Sequence, residues 1–320
     1  MPSGVTVQSV LDPAGTQAAA IHGLWLLMLW TTIAVFVVVL ALTFVAFVRG
    51  TRRHDAGLQT APTERSLTRA VSAAAGATVC ILLGLLTASV WTGRLVAARH
   101  ESNAVTINVT GHQWWWEIEY DDPVARHHAR LANEIHIPTN RPVVLKVTSR
   151  DVIHSLWMPN FQGKRDLIPG YTTAIAIDAV RPGVFRAQCA EFCGMQHAHM
   201  AMTVVAEADE QFEAWLNAQR TDAREPQSDA ERRGRDLFVG SRCSGCHTVR
   251  GTPAQGQVAP DLTHLASRSS VAAGTLPNTP EHLAAWIADP QAIKPGNQMP
   301  ANPMSDADRG ALVAYLRSLR

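Results

Sequence analysis

Two stretches of the chain, residues 21–48 and 71–91, are apolar almost throughout and contain no Asp, Glu, Lys or Arg. A helix needs about 20 apolar residues to cross the hydrocarbon core of a bilayer, so each run predicts a membrane-spanning helix. A buried core helix is the alternative, but two such runs almost side by side are unusual in a soluble domain. From residue 104 to 206 the pattern changes to two-residue alternation in short β-branched stretches: V-T-I-N-V-T, N-E-I-H-I, V-V-L-K-V-T, T-A-I-A-I-D, V-F-R-A-Q and M-T-V-V-A. Broken by Pro, Gly and Asn, these predict an all-β sandwich or small Greek-key barrel. No long helical pattern follows any of them, which argues against a parallel α/β sheet.

Beyond residue 207 come a short helical stretch, E-Q-F-E-A-W-L-N, and a polar, proline-broken segment, T-D-A-R-E-P-Q-S-D. Helix-start signals then recur. Ser228 with Glu231 predicts a capped helix through Phe238, Thr279-Pro280-Glu281 opens another, and Ser305 with Asp308 opens a last one through Leu319. The organisation expected is therefore a multidomain membrane protein. It has a tail (1–20), a two-helix hairpin (21–95) with a loop at 49–70, a β domain (104–206), a short helix and linker (207–227), and a small all-α domain (228–320).

The flanks of the apolar runs give an orientation. Arg49, Arg52, Arg53, Arg65 and Arg69 lie between them, whereas residues 1–20 carry no Lys or Arg. Positive charge stays on the cytoplasmic side. The loop is thus expected in the cytoplasm, with both termini and the β and helical domains in the periplasm of a bacterial inner membrane. Residues 1–20 do not read as a signal peptide, lacking a basic start and an apolar core. Lys plus Arg is 28 against 27 for Asp plus Glu, so no overall field draws the chain to nucleic acid.

Five cysteines are present. Cys80 sits inside the second apolar run and implies no chemistry. The other four form two pairs in the exported part, where a disulfide is the first alternative for each. Cys243-Ser-Gly-Cys246-His247 has the spacing of covalent haem c attachment, with two thioethers and an adjacent imidazole for the iron. Met299, in a proline-flanked loop before the last helix, is the expected second axial ligand, with Met304 as runner-up. The other pair lies in A-Q-C-A-E-F-C-G-M-Q-H-A-H-M, residues 187–200. Cys189, Cys193, His197 and Met200, completed by His154 upstream, exceed a one-copper site by a thiolate; two coppers bridged by both sulfurs accommodate the set. Zinc and a disulfide remain as alternatives. His199 is expected in a supporting or surface role, and Met195 in packing.

Taken with G-H-Q-W-W-W-E at 111–117 and the paired apolar runs, these motifs resemble subunit II of haem-copper cytochrome c oxidase, in the caa-type form with a fused cytochrome c domain. The resemblance covers residue 20 to the C-terminus. It implies a cupredoxin-like β-barrel and a class I cytochrome c domain. It further implies that Cys189 and Cys193 bridge the coppers of a CuA centre, with His154 and Met200 on one metal and His197 and the Glu191 carbonyl on the other. The Glu191 carboxylate would bind Mg at the interface with subunit I, which Asp166 also faces, and Trp114 would receive electrons from cytochrome c. Subunits I and III, a cytochrome c donor and membrane lipid are the implied partners. Family members often carry W-Y-W where this chain has Trp114-Trp115-Trp116, and a Glu at the cytoplasmic start of the second helix, for which Glu64 is the nearest acid. Rival functions are a nitric oxide reductase subunit, with the same copper pair, and a membrane-anchored copper metallochaperone. Quinol-oxidase subunits share the fold but lack the copper ligands present here.

Overall fold

The computed structural model describes residues 6–55, 63–97, 103–121 and 129–320. Residues 1–5 of the expected tail and 56–62 of the expected loop lie outside them. Both apolar runs are helical, and the helices overshoot them: α1 spans Thr16–Asp55 and α2 spans Glu64–Ala97. The flanks are rich in Ala, Leu, Gln and Arg, which sustain a helix beyond its apolar stretch. The most apolar 18-residue window of each helix is 0% buried. Helices with uncovered apolar surface of this length are consistent with membrane spans and unlike soluble core helices. Residues 19–99 form one unit, and the rest of the chain forms the other.

In that second unit, ten strands among the described residues build two five-stranded sheets. They are β1 (Val105–His112), β2 (Trp115–Tyr120), β3 (Ala129–Ala132), β4 (Glu134–Pro138), β5 (Val143–Ser149), β6 (His154–Trp157), β7 (Lys164–Leu167), β8 (Thr173–Ile177), β9 (Gly183–Cys189) and β10 (Ala201–Glu207). The sheet orders are β3-β2-β1-β5-β8 and β4-β10-β9-β6-β7. Pairing is antiparallel except between β1 and β5 and between β4 and β10. Alternation puts Val105, Ile107 and Val109 of β1 and Trp116, Ile118 and Tyr120 of β2 into one core. The six expected stretches are all strands; β2, β3, β6 and β7 are additional. β7 escaped the pattern because it is an edge strand that buries only Leu167.

Two segments read as peripheral are structural. In the N-terminal tail, Val7 pairs beside Phe185, and Asn160 Nδ2 donates to the Asp12 carbonyl at 2.7 Å. The Asp178 carboxylate accepts from the Thr16 backbone N–H at 2.9 Å and from its hydroxyl, capping the start of α1, which begins inside the expected tail. The short helix α3 (Asp209–Gln219) buries Phe212 and Leu216 in the β core. The polar segment after it is tied to the helical domain: Ala223 N–H donates to the Arg250 carbonyl and Arg224 Nε to that of Ser318.

The C-terminal domain consists of α4 (Asp229–Gly240), α5 (Cys243–Cys246), α6 (Pro280–Ala288), α7 (Pro290–Ile293) and α8 (Asp306–Ser318), plus a two-residue β pairing. Ser228, Thr279 and Ser305 cap α4, α6 and α8 through their hydroxyls. At α4 the Glu231 carboxylate accepts from the Gln227 N–H at 2.6 Å, one residue before the cap. Phe238, Leu283, Ile287, Leu312 and Tyr315 fill the core. Helices α4 and α8 meet at Gly234, where a β-carbon would collide with the Ala311 carbonyl.

Candidate metal and cofactor sites

Strand pairing assembles the first site. β6 lies antiparallel to β9 with Leu156 opposite Cys189, which brings His154, at the start of β6, beside the end of β9. Along β9 the alternation Phe185, Ala187, Cys189 faces inward, so the core side of the strand ends on a thiol. The chain then loops through Cys193 and a 3-10 turn, His197–His199, to Met200 at the threshold of β10. The two sulfurs lie 3.7 Å apart, too far for a disulfide, and both cysteines are free. His154 Nδ1 is 3.9 Å from Cys189 Sγ, and His197 Nδ1 is 3.6 Å from Cys193 Sγ. Met200 Sδ is 3.9 Å from Cys193 Sγ, and the Glu191 carbonyl oxygen is 3.2 Å from Cys189 Sγ.

This donor set suits soft metal ions: sulfur at the centre, one imidazole on either side, a thioether and a carbonyl at the margins. The Cys193 contact holds the Cys189 thiol well below its ordinary value, while the same contact, together with burial, drives Cys193 up. A bound cation would favour the deprotonated form of both thiols. Sequence reading missed Asp151. Its carboxylate lies 2.8 Å from His154 Nε2 and accepts from the Gln113 N–H at 2.7 Å. It engages the distal nitrogen and leaves Nδ1 toward the sulfurs. Burial opposes ionisation of Asp151, but these hydrogen bonds outweigh it and hold the carboxyl below its ordinary value. The D-x-x-H spacing was the available signal.

The second site is a cavity of about 260 Å³ lined by Cys243, Cys246, His247 and Met299. His247 Nδ1 donates to the Pro260 carbonyl at 2.8 Å, leaving Nε2 with the lone pair that an axial ligand needs. Burial lowers its pKa and keeps the ring neutral. Met304 packs against the domain core instead of lining the cavity. Arg268, also missed, is 6% exposed in the cavity wall, and its Nε has no hydrogen-bond partner among the described residues. A buried guanidinium there suits the carboxylates of a haem. Its position follows from the fold, and no motif announced it.

Trp114 belongs to both sites. It lines the cavity, and its Nε1 donates to the Cys193 carbonyl at 2.9 Å. Trp115 stacks on His112, and Trp116 is fully buried 6.1 Å from the His154 ring. His199 is exposed, with Nδ1 2.9 Å from Gln196 Oε1. Met195, expected to pack, is 73% exposed. Glu191 and Asp166 are half exposed and flank Lys164 at 3.5 and 3.4 Å. Glu64 opens α2, in the unit of the two helices.

Family models match in two places: the periplasmic domain of cytochrome c oxidase subunit II over residues 124–208, and cytochrome c over residues 231–320. A cytochrome c oxidase subunit 2 from Alkalihalophilus pseudofirmus is 35% identical over 319 residues, covering 98% of this chain and 91% of that protein. The chain belongs to the cytochrome c oxidase subunit 2 family. The subunit 2 of Bacillus subtilis is 30% identical over 69% of this chain and 64% of its own length. The crystal structure of the periplasmic domain of subunit II from Bradyrhizobium japonicum, 30% identical, covers 38% of this chain and 96% of that one, with a TM-score of 0.35. As a cytochrome c oxidase subunit 2 the chain is an oxidase subunit, and the family implies a complex with subunit I. The copper domain of such subunits implies CuA, and the cytochrome c domain implies haem. The two uncovered helices and the match to a periplasmic domain are consistent with a membrane protein.

Proposed function

We propose that this subunit takes electrons from a cytochrome c and delivers them to subunit I, using a covalent haem c and a dinuclear copper centre as its one-electron carriers. The observation that carries the reading is Trp114, which lines the cavity of the C-x-x-C-H motif and hydrogen-bonds the loop of the thiol pair. Cys243 and Cys246 would hold the haem through thioethers, and His247 and Met299 would ligate its iron. Cys189, Cys193, His154, Met200, His197 and the Glu191 carbonyl would hold the copper centre, which would supply a one-electron carrier there. Asp151 orients His154, and Arg268 offers a buried cation to the haem carboxylates. A rigid two-sheet scaffold keeps these donors in place as charge changes, which favours fast transfer.

The half-exposed carboxylate of Glu191 would offer a hard oxygen donor to Mg at a subunit I interface, which the half-exposed Asp166 would also face. The arginines between the apolar runs support a cytoplasmic loop with both termini and both cofactor domains outside. Subunit III is a further expected partner. The assembled oxidase, mixed with reduced cytochrome c, should show haem reduction, then copper reduction, then oxygen uptake. Copper reduction ahead of the haem, or a copper-free preparation with full oxygen uptake, would overturn the reading. Cys243→Ala with Cys246→Ala should remove covalent haem and leave the copper EPR signal.

A further inference from the structure

Lys294 follows α7 and is 3% exposed, yet no carboxylate pairs with it among the described residues. Its Nζ donates to the carbonyls of Trp114 at 2.7 Å, His199 at 2.8 Å and Ala272 at 3.2 Å. An ammonium has three N–H donors, and all three are used. Two go to the copper domain and one to the lysine's own domain. Burying a lysine without a counter-ion is costly, and burial pushes this one down to about 7. Shape at the junction makes the position specific. Gln196 Nε2 donates to the Pro295 carbonyl at 2.9 Å, and the Met195 methyl lies against Gly296. Gly194, at φ +114°, leaves room for the Trp114 ring, 2.9 Å from where a β-carbon would sit. Further along, the Ala201 N–H donates to the Ala273 carbonyl at 3.1 Å and the Ser269 N–H to the Glu134 carboxylate at 2.9 Å.

We propose that Lys294 is a positioning residue for electron transfer between the two sites: its three hydrogen bonds clamp the cytochrome domain over Trp114 and fix the separation across which the electron moves. The Trp114 carbonyl is held by Lys294 while its indole holds the Cys193 carbonyl, so this one residue is fixed at both ends. The inference rests on the proposed haem and copper occupancy, and the experiment separates the two.

Lys294→Met keeps the length and loses the donors. In the assembled oxidase, haem and copper spectra report occupancy, flash-induced electron injection reports the haem-to-copper rate, and hydrogen–deuterium exchange reports the junction. The expected result is normal spectra, transfer slowed about tenfold or more, and amide exchange about tenfold faster in peptides containing Ala201 and Ser269, with β1 and β2 unchanged. Unaltered rate and exchange with both cofactors bound would overturn the proposal. Haem or copper bands missing from the unmutated protein would overturn the occupancy reading instead. If Lys294→Met does not assemble, Lys294→Gln, which retains two N–H donors, is read by the same measurements and should shift both in the same direction; no shift in either overturns the proposal.

Discussion

Trp114 Nε1 donates to the Cys193 carbonyl at 2.9 Å, joining the wall of the cavity that holds the C-x-x-C-H motif to the loop that carries the thiol pair. Trp114→Phe keeps an aromatic ring in place and removes this donor, so the fold should lose only about 1 kcal/mol. Haem-to-copper transfer should nevertheless slow by about tenfold or more, because a small displacement at a transfer site has a large kinetic effect. Transient absorbance on the assembled oxidase checks this. An unchanged rate would place the route elsewhere.

Met299 lines the cavity with His247, while Met304 packs into the core. Met299→His should shift the haem reduction potential strongly, since the axial ligand sets it. Met304→Leu replaces one apolar side chain by another and should cost less than about 1.5 kcal/mol of stability, with the potential unmoved. Potentiometric titration of both variants decides between them.

His136 stacks on Trp215 and is placed between Glu207 at 2.7 Å and Glu134 at 3.4 Å. Burial lowers its pKa, but the two carboxylates outweigh burial and raise it above 6.5. The imidazolium therefore contributes stability fully below pH 6.5, and that contribution is lost as pH rises through the raised folded value. Glu134 is the converse: burial raises its pKa, but hydrogen bonds from His136 and Ser269 hold it below 4.5, so its contribution fades as pH falls through that lower value. The group should be most stabilising between about pH 4.5 and 6.5. His136→Gln should flatten the alkaline side of the melting-temperature profile; an unchanged slope there would show that the histidine is neutral in the folded protein.

Gly234→Ala puts a methyl into the Ala311 carbonyl where α4 crosses α8. The gain in helix propensity, about 1 kcal/mol, is smaller than the cost of forcing the helices apart, about 1–3 kcal/mol. Thermal unfolding of the cytochrome domain should move to lower temperature, with the copper EPR signal unaffected.

Residues whose chemistry requires a fixed spacing were legible in the sequence. Cys243, Cys246 and His247 sit together in a motif, and Cys189, Cys193, His197 and Met200 fall within twelve residues. Strands were legible where alternation was clean, as in β1, and not where one apolar residue stood in a polar edge, as in β7. Lys294 and Arg268 were not legible. Their segments, A-I-K-P-G and A-S-R-S-S, have the polarity of solvated loops. Both are buried by distant parts of the fold, and a local pattern carries no record of that. The docked tail was hidden for the same reason: Val7 and Ala14 gain their partners from residues more than 140 positions away.

Trp114 is 7% exposed, because the cytochrome domain already occupies the face that a diffusing protein would need to touch. In the proposed route, the step from that domain to the copper site is therefore unimolecular. Its reactant is present at the effective concentration of a tethered neighbour, unaffected by dilution, and its contact surface is buried, where added salt screens little. In that route, collision, charge steering and choice of donor would all act one step earlier, on the outer surface of the cytochrome domain.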